Sequence, residues 1–261
     1  MKPEKIDQSN SDYHADHSFY SSSQVKTFAD GPAMYNLRYN QGVRQSSSAF
    51  TLGSLVHAMV LEPDTLEDDY TLCPVKDRRT KAYKEWYAQA DKSKTIVTAT
   101  EWDTAMNCTN AILDHEISRT IMEQAGEVET SWRYEVEGIP CKLKADKVLP
   151  DQRIVFDLKT TQTCTPREVR SAFYKYKYGL QAAHYTAGAE TCYESVDRYT
   201  MIFGFVETQA PFRVLCYQIK DDDLEQFYDR WASLLQDLHS RSLKQDWSDP
   251  TDDLLLTLEL N

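Results

Sequence analysis

A mixed α/β domain, with a central sheet of about five strands flanked by helices, is what this sequence predicts. Two changes of texture carry the prediction. Up to Gly126 the apolar residues recur at helical spacing between capping and stopping residues. From Glu127 to Thr161 they alternate instead, with breaks at Glu137-Gly138 and Pro150-Asp151. Alternation of that kind between turn signals predicts three consecutive antiparallel strands. Helical spacing then returns, two further alternating runs follow, and a long helical pattern closes the sequence.

The elements follow in order. Residues 1–18 are polar and predict a mobile arm. "YSSSQVKTFAD" offers serine caps to a short helix ending near Asp30-Gly31-Pro32, and "PAMYNLRYNQG" is a second short helix stopped by Gly42. "SSSAFTLGSLVHAMVLEP" is apolar nearly all round and predicts a buried helix. "DRRTKAYKEWYAQADKSK" reads as a basic helix in a polar insertion, and "TATEWDTAMNCTNAILDHEISRTIMEQAG" as one long amphipathic helix. After the three strands, "TPREVRSAFYKYKY" and "GLQAAHYTAGAETCYE" are helices, and "RYTMIFGFVET" and "FRVLCYQIK" are strands. "DDDLEQFYDRWASLLQDLHSRSLKQ" is the last helix, its three aspartates at the positive end of the helix dipole.

Composition bounds the function. With 261 residues, 41% of them hydrophobic, the chain has material for one domain, placed over residues 19–245 and followed by an acidic tail over 246–261. No apolar run approaches the roughly 18 residues of a membrane span, and the first residues lack the apolar segment of a signal peptide. Six scattered cysteines without a Cys-x-x-Cys pair argue against zinc or iron–sulfur frameworks and for a cytoplasmic protein. The net charge of −12 is unevenly spread. Lys142–Lys177 holds nine Lys/Arg against four Asp/Glu, and Lys76–Lys94 seven against three. From Asp221 onward eleven acids face three bases. A locally basic surface can meet phosphates on an acidic protein.

The candidate chemistry lies in the strands. In "RIVFDLKTT" a buried run delivers Asp157 and Lys159, two apart and therefore on one side of the strand. Alone, that pair reads first as a strand-end salt bridge. Asp146, on the preceding strand, can bring a second carboxylate to the same place. Two carboxylates suit a hard divalent cation such as Mg²⁺, and a lysine beside them could hold an attacking water for phosphodiester hydrolysis. Gly53 and His57 share a helix face one turn apart. That histidine offers a nitrogen ligand, or is a hydrogen-bonded core residue. Gln181 and Tyr185 present an amide and a phenol from one face of another helix.

In this order, Gly-x-x-x-His, Glu, Asp, Asp-x-Lys and Gln-x-x-x-Tyr, the residues resemble the RecB-like nucleases of the PD-(D/E)XK superfamily. The likeness is greatest to their RecE-type (exonuclease VIII) exonuclease group. "YHADHSFYSSSQVKTFADGPAMY" is similar to that group's Tyr-His, Ser-x-Ser and Pro-x-x-Tyr opening, so the resemblance covers about residues 13 to 219. It implies a restriction-endonuclease-like core and a Mg²⁺-dependent exonuclease, with Mn²⁺ able to substitute. The implied substrate is linear double-stranded DNA, digested 5′ to 3′ to leave a 3′ single strand for a RecT-like annealing protein in recombination. A ring-shaped homo-oligomer threaded by DNA is implied as well.

Residue by residue, the resemblance makes His57, Asp146, Asp157 and the Leu158 carbonyl metal ligands and Lys159 the catalytic lysine. Gln181 and Tyr185 would place substrate and site. Glu129 matches the acidic position before the second strand, with Glu127 and Glu135 near enough to compete for it. Lys144, in Lys144-Ala145-Asp146, stands where close relatives carry an arginine. Arg78, Arg79, Lys81, Arg167, Arg170, Lys175 and Lys177 are the expected DNA-backbone contacts. Two rivals stay open: a Cas4- or AddB-like iron–sulfur nuclease, and a catalytically silent DNA-end-binding or scaffold protein on the same fold.

Overall fold

Caps and turns mark most element boundaries in the computed structural model. It describes residues 1–43, 48–75 and 77–249, with the backbone alone for 48–50. The chain opens with β1 (Glu4–Ile6), α1 (Asn10–Ala15), α2 (Ser22–Phe28), α3 (Pro32–Tyr35) and α4 (Ser48–Leu61). It continues through α5 (Leu66–Asp69), β2 (Tyr70–Cys73), α6 (Lys81–Gln89), β3 (Thr95–Thr98), α7 (Ala99–Asp114) and α8 (Glu116–Glu123). The second half runs β4 (Glu127–Val136), β5 (Ile139–Leu149), β6 (Ile154–Thr161), α9 (Pro166–Lys175), α10 (Tyr178–Cys192), β7 (Thr200–Glu207), β8 (Val214–Gln218) and α11 (Asp221–Lys244). Ser21 with Gln24 and Thr98 with Glu101 form capping boxes that start α2 and α7. Asp221–Asp223 lie in the first turn of α11 and Arg241 and Lys244 in its last, each complementing the helix dipole.

Six strands form a mixed sheet in the order β1-β4-β5-β6-β7-β8. Neighbours are antiparallel except β6 and β7, which are parallel and joined through α9 and α10. One face packs against α2, α10 and α11 through residues such as Val25, Leu180, Ala183, Trp231 and Leu235. The other packs against α4, α7 and α8 through Leu55, Met59, Cys108, Ile112 and Ile121. Along β6, Val155 joins the first core and Phe156 and Leu158 the second. Period-two alternation therefore sends Asp157 and Lys159 toward the α10 face.

Four expectations change. Residues 1–18 do not hang free: β1 pairs with the outer edge of β4, and Tyr13 is buried. A bare strand edge is a liability that pairing removes. The buried Lys142 ammonium also needs acceptors, and it finds the carbonyls of Tyr13 and Asp16. The expected long helix before Gly126 breaks at His115, whose ring caps α8 by accepting from the Ser118 N–H. Within the polar insertion, α6 is joined by an unexpected parallel pair, β2 and β3, over a small cluster of Cys73, Tyr83 and Ile96. The acidic tail starts docked, with Trp247 stacked on Tyr35 at 5.0 Å. Its residues from 250 onward, like Ser46, Ser47 and Lys76, lie outside the described residues. No helix among the described residues is long and apolar enough to cross a membrane.

Candidate active site

The ladder between β5 and β6 pairs Leu149 with Ile154, Val148 with Val155 and Lys147 with Phe156, then stops. Past that point the Leu158 N–H donates to Asp146 Oδ2 at 2.7 Å in place of a strand partner. Two buried carboxylates, Asp146 and Asp157, therefore stand where the strands part. Helix α4 reaches this opening from the opposite face. Gly53 lets it approach, since a Cβ there would lie 3.3 Å from Thr160 Oγ1. His57, one turn on, has Nε2 2.8 Å from the Leu158 carbonyl and Nδ1 3.5 Å from Asp146 Oδ2. A hydrogen on Nε2 donated to that carbonyl leaves Nδ1 with the lone pair facing the carboxylates.

Glu129 completes the group. Single ligand atoms of His57, Glu129 and Asp146 lie within 4.8 Å of one another. In β4, Thr130 is opposite Ala145 and Val128 opposite Lys147, which sets Glu129 across from Asp146. Glu129 adopts φ 47°, a left-handed conformation uncommon for a non-glycine residue inside a strand. Such outliers persist where the surroundings impose them, often at functional sites. The other two glutamates are engaged elsewhere. Glu127 accepts from Thr130, from Tyr193 at 2.7 Å and from Lys5 at 3.0 Å, while Glu135 pairs with the amino group of Met1.

Asp157 stands just outside that trio and has its own partners. Its Oδ2 is ion-paired with Lys159, and its Oδ1 accepts from Gln181 Nε2 at 2.6 Å. Gln181 is fixed in turn, because Lys26 Nζ donates to its Oε1 at 3.1 Å. The amide must therefore point its NH₂ at Asp157. Lys159 lies 5.4 Å from the centroid of the Tyr178 ring and Lys26 5.9 Å. Tyr185 lies one turn after Gln181 on α10, partly buried and within reach of the charges of Asp157 and Asp146.

The electrostatics describe a site short of positive charge. Burial, and next the charge of Asp157, push the Asp146 carboxyl well above the usual carboxylate range. Burial and then Asp146 raise Glu129 as well, against the pull of Lys144. Burial works to lower Lys159, but Asp157 and Asp146 outweigh it and hold the lysine protonated. Burial, and next the charge of Lys159, lower His57, and a neutral imidazole is the form that ligates metal. A divalent cation among His57, Glu129 and Asp146 would relieve the crowding of carboxylates. The mixed oxygen and nitrogen donors fit a divalent cation.

The expected DNA contacts divide. Arg78 pairs with Glu101 at 2.7 Å and donates to the Ile96 carbonyl, Arg79 is clasped by Asp77, and Lys81 lies 3.4 Å from Glu85. Lys177 pairs with Asp30. Arg167, Arg170 and Lys175 are exposed, and no ion pair holds them among the described residues.

Sequence reasoning noted Lys144 without its partner at the site and missed Lys26 and Tyr178. Lys144 pairs with Glu129 at 2.8 Å, and its position two before Asp146 on one strand was a usable signal. Lys26 reaches the site from α2, with nothing in its local sequence to announce it, and Tyr178 opens α10 three residues before Gln181.

The sequence profile described as "PDDEXK-like domain of unknown function (DUF3799)" matches residues 21–253. No curated protein sequence matches the chain. Among solved structures, a candidate exonuclease from Eubacterium rectale superposes with a TM-score of 0.70 at 14% identity, over 98% of this chain and 97% of that one. That likeness is one of fold. A phage-related exonuclease from Haemophilus somnus 129PT aligns at 15% identity and a TM-score of 0.35, over 66% of this chain and 91% of its own, too weak to bear on the fold. Because the matched profile runs from α2 to beyond α11 and takes in the parted strands with all their polar residues, the chain belongs to the PDDEXK-like domain family.

Proposed function

We propose that the chain is a metal-dependent exodeoxyribonuclease that digests linear double-stranded DNA. The observation that carries this reading is the gathering of His57, Glu129 and Asp146 beside the Asp157–Lys159 pair where β5 and β6 separate. The name borne by the Eubacterium rectale structure agrees with it. His57, Glu129 and Asp146 would hold the cation, with Asp157 and the Leu158 carbonyl as the further ligands that the RecB-like resemblance implies. A bound divalent cation supplies Lewis acidity and lowers the pKa of water near it. Protonated Lys159 orients the attacking water and favours its deprotonated form by charge. Gln181 and Lys26 keep Asp157 in place. Water attacks phosphorus and gives up a proton, the bond to one ester oxygen breaks, and that oxygen takes up a proton to leave as a hydroxyl while the other product ends in a phosphate.

The finer terms follow the same resemblance: Mg²⁺ with Mn²⁺ as a substitute, 5′-to-3′ processive digestion, and a 3′ single strand passed to a RecT-like annealing protein. A homo-oligomeric ring in the cytoplasm belongs to the same reading. Linear duplex carrying distinguishable labels at its 5′ and 3′ ends tests it. With Mg²⁺ the 5′ label should be released first, and with excess EDTA neither should be. Undiminished release in EDTA would overturn the metal site. Release of the 3′ label first would reverse the polarity, and efficient cutting of closed circles would make the enzyme an endonuclease.

A further inference from the structure

Residues 174–178 read Tyr-Lys-Tyr-Lys-Tyr, and the readings above use the two lysines and Tyr178 but not Tyr174 or Tyr176. This stretch joins α9 to α10 immediately before Gln181. Tyr178 is the inner member. Its ring sits against Phe203 at 5.5 Å, Phe205 at 6.0 Å and Phe173 at 6.3 Å, and it carries the Lys159 ammonium 5.4 Å from its centroid. Tyr176 leans on Tyr178 with centroids 5.7 Å apart and planes at 35°, and Lys175 lies 5.2 Å from its centre. Tyr174 stands outermost, edge-on to Phe173 at 5.8 Å. Exposure rises outward: Tyr178 is partly buried, Tyr176 is 50% exposed and Tyr174 62%. Two exposed rings in one short stretch make a patch, and a patch is what something flat and apolar can cover.

We propose that Tyr176, backed by Tyr178, is a stacking platform that seats an unpaired base of a DNA strand beside the candidate metal site. Rings interleaved with cations are what single-stranded nucleic acid binds: each base stacks on an aromatic face while basic groups follow the phosphates. The cations are in place, since Lys175 lies at the platform and Arg167 and Arg170 are exposed on α9. Lys177 is committed to Asp30 and takes no part. The platform is continuous with the site through Tyr178, so a strand stacked on Tyr176 would be held on the path to Lys159 and Asp157. An unpaired base is required because rings within a duplex are covered by their neighbours. The platform therefore selects strand ends that have opened, and in this it rests on the exonuclease reading.

The test uses the full chain and a linear duplex with a short single-stranded end, in Ca²⁺. A second duplex is identical but carries abasic units throughout that end. The wild-type protein should prefer intact bases by about 10-fold or more. Tyr176→Ala should erase the preference by weakening only the intact DNA, and Tyr176→Phe should restore it. Unchanged thermal melting is expected for both, since Tyr176 is half exposed. No preference in the wild-type protein, or a preference that survives Tyr176→Ala, would overturn the platform. If the wild-type protein then still digests labelled linear duplex in Mg²⁺, only the platform falls. If it neither binds nor cuts, the nuclease reading falls and takes the platform with it.

Discussion

Asp157 and Lys159 are both ion pair and candidate machinery, and the two roles predict different losses. Lys159→Ala removes the cation that holds Asp157 Oδ2, yet leaves His57, Glu129 and Asp146 untouched. Turnover in Mg²⁺ should fall by about two orders of magnitude or more, while DNA affinity in Ca²⁺ stays near normal. Asp157→Ala should abolish turnover and also raise the metal concentration required. Near-normal hydrolysis by a folded Lys159→Ala protein would reduce the pair to a strand-end salt bridge. Further along α10, His184 makes a prediction about pH. Trp231 Nε1 donates to its Nδ1 at 3.1 Å, so its other nitrogen donates to the Lys142 carbonyl at 2.8 Å and the ring is neutral. Burial pushes its pKa from 6.5 down to about 4. In that window the unfolded chain binds a proton that the folded one does not. The contribution is therefore intact above pH 6.5 and is lost as pH falls toward 4, amounting to about 3 kcal/mol. Urea midpoints should drop from pH 7 to pH 4.5, and less steeply in His184→Gln, which cannot titrate. Equal slopes would assign the acid sensitivity to carboxylates alone. Asp157 with Lys159 could be paired from the sequence, because two residues apart on a strand is one face. The Trp231–His184 contact spans 47 positions and has no local signature.

At the scale of elements, α10 approaches the sheet closely because it carries Gly188. A methyl group there would press well inside contact distance of Leu143 and lie 2.9 Å from the Tyr134 ring, and both neighbours are buried. Alanine would gain up to about 1 kcal/mol in helix propensity, against about 1–3 kcal/mol of overpacking. The clash is with core side chains that have nowhere to go, so Gly188→Ala should lower the melting temperature by several degrees. An unchanged or raised melting temperature would show that the interface yields. Displacing α10 also moves Gln181, so activity should fall further than stability alone explains. The strands β4 to β8 and the helices α9 to α11 were legible in the sequence, because turn residues punctuate them and their apolar period is unmixed. The strands β1, β2 and β3 were not. Each has four residues or fewer, too short to display a period, and each exists because a partner strand is supplied from elsewhere.

For the whole molecule, the proposed function asks a chain of net charge −12 to hold a polyanion. The basic residues are not equivalent: Arg78, Arg79 and Lys81 pair with Glu101, Asp77 and Glu85, whereas among the described residues no ion pair holds Arg167, Arg170 or Lys175. Neutralising the second group should weaken DNA binding and lower the salt slope by roughly one ion per true contact. Neutralising the first group should change the slope less and cost more stability. A salt slope unmoved by losing Arg167, Arg170 and Lys175 would place the DNA elsewhere. From the sequence alone came the class of the fold, the strand bearing Asp157 and Lys159, the helix bearing His57 and the family likeness. These depend on period and spacing, which are local properties of a chain. Only the tertiary structure put Glu129, and not Glu127 or Glu135, beside His57 and Asp146, turned Asp157 toward Lys159 and Gln181, and showed which arginines are ion-paired among the described residues. Those outcomes turn on which side chains meet across the parting of β5 and β6 and across the faces of packed helices. A one-dimensional pattern names the groups that can ligate or pair, but only the three-dimensional competition among them decides which do.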